Sequence, residues 1–143
     1  MLLRASLGLF ALSALYSVAL AESCGSPPIA PALASAPEIR QKSPAEAAAA
    51  KHDAFVEIKN WQADLKTYRA CLTNVSNDAR RQVSNLDPNK DADKIAGLQQ
   101  QGAAATHQYD RTVDMEERVV NEFHAAQAAY CGRSDVDRSS CPK

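Results

Sequence analysis

The side chains of this sequence with chemical potential are three histidines, four cysteines and a scatter of carboxylates. His52, His107 and His124 titrate nearest neutrality, so acid–base or metal chemistry would draw on them first. His107, Asp110 and Asp114 share one face at helical spacing, a set that could hold a cation weakly. It has no second His or Cys in reach, and a solvated polar face is the expectation. The paired Glu-x-x-His of di-iron bundles does not occur. A cysteine nucleophile needs a free thiol of low pKa, and an even count of four in a small exported chain reads better as two bridges. There is no Gly-x-Ser-x-Gly, no P-loop and no Gly-rich dinucleotide fingerprint. Asn74-Val75-Ser76 matches a glycosylation sequon but sits mid-helix at a core column. We therefore expect no catalytic, cofactor-binding or metal-ligating residues.

The elements that carry these residues begin with an export signal over 1–21. Met-Leu-Leu-Arg supplies one positive charge at Arg4, the run Leu7 to Leu20 is too short and Ala/Ser-rich for a good span, and Ala19-Leu20-Ala21 is a small-x-small cleavage site. The mature chain then starts at Glu22 and contains no further membrane span. Lipidation of Cys24 is the variant, and Glu22-Ser23 is a poor context for it. Losing Arg4 leaves 15 basic against 17 acidic residues, interspersed, which argues against nucleic acid as a partner.

Residues 22–42 carry Pro27, Pro28, Pro31 and Pro37 and read as an extended arm. Residues 43–131 read as a helical hairpin. Ser43 caps, Pro44 takes the first helical position and Glu46 completes a capping box. Apolar residues then repeat by sevens: Ile58, Leu65, Leu72, Ala79 and Leu86 in one column, Ala54, Trp61, Tyr68 and Val75 in the other. This makes Trp61 and Tyr68 core residues. Asn85 to Asn89 breaks the pattern, with Asp87 and Pro88 opening a second helix. That helix has Ile95, Tyr109, Phe123 and Tyr130 in one column and Leu98, Ala105, Thr112, Val119 and Ala126 in the other. Gly97 and Gly102 weaken it, Glu116 falls on a core column where it needs a partner, and Val113 and Val120 widen the stripe and carry its packing. Gly132 suits a C-terminal cap, and residues 132–143 form a polar tail closed by a disulfide.

The short connection implies antiparallel helices, and a turn centred near Asp87 makes facing residue numbers sum to about 174. His52 and His124 then share a level but occupy outward columns. Cys71 lies about 42 Å up the first helix from the base, out of reach of Cys131, while ten tail residues span only about 33 Å, too few for Cys141. The arm, extending to about 60 Å, can bring Cys24 to Cys71, leaving Cys131 for Cys141. The arm becomes a third layer pinned at its far end.

The run Cys24-Gly25-Ser26-Pro27-Pro28-Ile29-Ala30-Pro31, followed by a long helix bearing Tyr68-Arg69-Ala70-Cys71-Leu72, resembles small uncharacterised exported proteins of Proteobacteria. In these a Cys/Pro-rich start precedes a helix with Tyr-x-x-Cys-Leu. The likeness covers Cys24 to Leu72; Cys131 and Cys141 lie outside it. It implies a periplasmic location in a Gram-negative bacterium and brings no activity and no catalytic residues. The expectation is an all-α, two-helix antiparallel hairpin with an extended N-terminal arm, pairing with a second copy as a four-helix bundle. It acts as a non-catalytic periplasmic binding or structural protein. The second reading is a chaperone-like or envelope-associated protein with an envelope partner, the third an enzyme with an unrecognised site.

Overall fold

The computed structural model describes residues 21–142; the export segment expected over 1–21 lies outside them but for its last residue. A 3-10 turn (Ala21–Cys24) leads through an extended stretch to α1 (Ala36–Gln41), α2 (Pro44–Ser84) and α3 (Ala92–Cys131). Among the described residues there is no strand, and α2 and α3 pack against each other along their length as an all-α antiparallel hairpin.

Local chemistry explains where the helices begin. The Ser43 hydroxyl accepts from the Glu46 amide while the Glu46 carboxylate accepts from the Ser43 amide at 3.0 Å, and Pro44 stands where its missing N–H costs nothing. The same device recurs eight residues earlier. Ser35 caps Glu38, whose carboxylate accepts from the Ser35 amide at 2.6 Å, and this opens α1. The arm is therefore not extended throughout 22–42, as its prolines suggested. Pro37 occupies the second helical position, whose N–H has no intrahelical partner to lose.

The hairpin turn also differs from expectation. Asp87 does not cap α3. Its carboxylate accepts from the Asn89 amide at 2.9 Å and its carbonyl from the Asp91 amide at 2.8 Å, which closes the turn on itself. The helix starts at Ala92, after Asp91, whose side chain makes no cap bond within α3 and accepts instead from the Asp87 amide. The later start shifts the facing register. Gln62 with Glu116 and Ser76 with Gly102 sum to 178, and Ser76 with Thr106 to 182, rather than 174.

The buried residues of α2 run Ala47, Ala54, Ile58, Trp61, Leu65, Tyr68, Leu72, Ser76 and Ala79; from Ala54 on they are closely spaced. Threes and fours alternate up to Leu72, where the four from Tyr68 is followed by a second four to Ser76, a stutter that unwinds the seam locally. It brings in Ser76 and leaves Val75 and Leu86 half-buried. On α3 the column Ala105, Thr112, Val119, Ala126 keeps its sevens. Tyr109 and Val113 do not join it: they are 37% and 43% exposed, and Val120 is half-buried.

Three apolar clusters stack from the base upward. The lowest joins Ile39 of α1 to Ala47, Ala126, Ala129 and Tyr130, with Val136 and Cys141 of the tail against it. The middle one holds Ile58, Trp61, Leu65 and Val119 under Ala30 and Leu33 of the arm. The upper holds Tyr68, Leu72 and Ala105 under Cys24. The arm is thus a third layer, fastened at both ends. At the top, Cys24 is bonded to Cys71 with alpha carbons 5.7 Å apart, and Gly25 (φ 72°) takes the left-handed turn that other residues resist. At the bottom, the Arg133 guanidinium donates to the carbonyls of Ile39 and Lys42, each at 2.8 Å, at the C-terminal end of α1. Cys131–Cys141 closes the tail, which Tyr130 and Lys51 hold by hydrogen bonds to Asp137 and Ser140.

Candidate functional site

The arm covers only one face of the hairpin. Cys71 projects toward it, and Arg80, nine residues or two and a half turns further on, projects from the opposite face. There the two helices leave a groove of about 570 Å³ near the turn, floored by Ala79, Val83, Leu98, Gly102 and Ala103. Small side chains bring the backbones close: a methyl at Gly102 would stand 3.5 Å from the Ala79 Cβ. Arg80 stands on one rim, and Thr106, His107 and Asp110 line the other helix. A shallower hollow sharing Ser76, Arg80 and Thr106 continues the groove toward Thr73 and Tyr109.

Below the groove a polar network crosses the seam. Glu116 accepts from Arg69 Nη1 at 2.5 Å and from Gln62 Nε2 at 2.7 Å. Arg69 Nε donates to the Thr112 hydroxyl at 2.7 Å, and that hydroxyl donates to the Tyr109 carbonyl. The guanidinium also lies 5.6 Å from the Tyr109 ring centre, and its Nη2 is buried with no hydrogen-bond partner. The hydrogen bond from Arg69 holds the Glu116 carboxyl below the usual carboxylate range, helped by Gln62 and opposed by partial burial. Tyr68 donates to Gln108 at 2.5 Å, and burial pushes its phenol up. This network packs α3 where Val113 and Val120 were expected to. Its signal was Glu116 on a core column, whose one facing cation is Arg69.

The sequence-singled residues scatter. His107 and Asp110 line the groove; Asp114 is exposed and does not. His52 lines a separate hollow of 460 Å³ beside Phe55, Phe123 and Tyr130, whereas His124 is not part of it. Among the described residues no group of three or more His, Cys, Asp or Glu could hold a metal ion. Asn74 is exposed on α2. All four cysteines are bonded, as Cys24–Cys71 and Cys131–Cys141. Two disulfides are features of an oxidising, extracellular-type environment. No helix of the described residues is long and apolar enough to cross a membrane.

The chain matches no protein-family model, no curated protein and no solved structure.

Proposed function

We propose that this chain is an exported, non-catalytic docking protein of the periplasm, which uses the hairpin face opposite its arm to bind protein helices. The observation that carries the reading is the groove between Arg80 and Asp110. It is apolar-floored and open, and it runs from beside the upper cluster toward the turn on the face that the arm leaves bare. A long rigid hairpin fixed by two covalent bridges offers such a face without ordering cost at the moment of binding. The export signal and the oxidised cysteines support the location.

Two measurements test it. Fractionation with N-terminal sequencing should place the chain in the periplasm beginning at Glu22; a reduced, cytosolic chain overturns the location. A photo-crosslinking residue at His107, exposed beside the groove and introduced in producing cells, should yield protein adducts. If the folded, disulfide-bonded chain gives none there or at Gln99, which is also exposed beside the groove, the docking reading fails.

A further inference from the structure

We infer that the occupant of this groove is a second copy of the chain, packed face to face and antiparallel about a two-fold axis that crosses the hairpin at Ser76–Thr106. The inference rests on the docking reading of this face and names its partner.

The charges point to it first. Arg80 and Asp110 each make no hydrogen bond or ion pair within the described residues, and both line the same groove. Facing residues sum to about 180, so Asp110 lies level with position 70 of α2, about 15 Å below Arg80. The midpoint of that span is level 75, beside the Ser76 and Thr106 hydroxyls, which are 3.4 Å apart. A two-fold axis at that point carries Arg80 of each copy to the level of Asp110 in the other. Arg69, on α2 near that level, is already neutralised by Glu116.

The same axis, fixed by the charges alone, also matches shape. Val113 is 43% exposed and lies on the α3 face of Thr106, seven residues on. It stands at level 67, which the axis carries to level 83, where Val83 and Leu98 floor the groove. Tyr109, 37% exposed, stands at level 71 and is carried to level 79, over Ala79 and Gly102. The exposed residues of one half of the face thus oppose the hollow of the other half, and an isologous contact repeats each match twice. The two misplaced apolar residues of α3 acquire a role as knobs. The hollow made by Ser76, Ala79 and Gly102 becomes their hole.

Sedimentation of the oxidised mature chain should show a monomer–dimer equilibrium in the micromolar range. Reversing one charge, Arg80→Asp or Asp110→Arg, turns both symmetric attractions into repulsions and should weaken self-association about tenfold or more. An equimolar mixture of the two single variants restores both attractions and should dimerise again, with one copy of each. Ala103→Gln, a good helix former at an exposed site, should block the groove while leaving the circular dichroism unchanged. A strict monomer overturns the inference, as does a dimer indifferent to the charge reversals and to Ala103→Gln. Adducts at His107 to another protein, with none between copies, would leave the docking reading standing and remove this one. Absence of any adduct removes both.

Discussion

Replacing Cys24 and Cys71 together by Ala should free the upper arm without dissolving the hairpin. The bridge closes a ring with a sequence separation of 47 residues, and loop-closure entropy for that length is worth about 4 kcal/mol as an upper bound. Without it, the stretch between Cys24 and α1 keeps one hydrogen bond to the hairpin, from Trp61 Nε1 to the Pro28 carbonyl at 3.3 Å, worth about 1 kcal/mol. The half-buried Ala30 and Leu33 add about 1–2 kcal/mol. So few contacts do not offset the backbone entropy of the stretch once the bridge no longer limits the freedom of the undocked arm. The lower arm should remain, because Ile39 is 1% exposed and Arg133 holds the end of α1. The chain's single tryptophan reports the event directly, since Trp61 is 5% exposed and Ala30 and Leu33 pack on its cluster. The variant should show red-shifted, more readily quenched emission with helical ellipticity retained, and a melting midpoint roughly 10–20 °C lower. Unchanged emission and quenching would refute the view that the bridge, rather than arm contacts, keeps the third layer in place.

Three further outcomes follow from the same contacts. Glu116→Gln should cost about 1–3 kcal/mol in urea unfolding at neutral pH, because the Arg69 guanidinium, 17% exposed, loses its counter-charge. The Glu116 carboxyl is lowered in the folded state, so its contribution is present above the unfolded carboxylate value and lost as pH falls through the folded one; the variant should flatten that acid limb. Gly97→Ala should stabilise α3 by about 0.8–1 kcal/mol, since nothing lies within 4 Å of the added methyl; a destabilised variant would mean the site is not open. Ser35→Ala should unravel α1, seen as fast amide exchange at Ile39 and Lys42, whose amides bond to Ser35 and Glu38 carbonyls, while α2 and α3 stay protected.

What could be read from the sequence was what periodicity and capping encode. The sevens of Ile58, Leu65 and Leu72 and the box at Ser43 are local signals, and they place α2. The reach of each segment then restricts the cysteine pairings. Two local signals were masked by louder ones. Ser35-Ala36-Pro37-Glu38 is as good a box as the one at Ser43, but four prolines in the surrounding stretch read as extended chain. Asp87-Pro88 is a credible helix start, yet the turn spends that carboxylate on the Asn89 amide, so α3 begins four residues later. That delay and the stutter after Leu72 moved Tyr109 and Val113 out of the seam. Neither is visible in one helix's pattern, because register across a hairpin is a property of both strands of the pair. The groove was invisible for the same reason: it is the space left when Ser76 and Ala79 face Gly102.

The Cys24–Cys71 bridge marks how far up one face of the hairpin the arm reaches. Up to Leu72 the hairpin has a third layer, and the large buried side chains of α2 lie there: Ile58, Trp61, Leu65, Tyr68 and Leu72, with alanines nearer the base. Above Leu72 the seam changes to Ser76, Ala79, Gly102 and Ala105, which bring backbones together but bury little apolar area. Two helices joined that way leave an apolar floor uncovered. An arm a few residues longer, bridged higher on α2, would have covered the seam from one side and left the opposite groove untouched. Only something approaching from the Arg80 face can supply the missing layer. The covalent tether closes one face of the lower hairpin, and the groove on the other face is the surface we propose for a second helical pair.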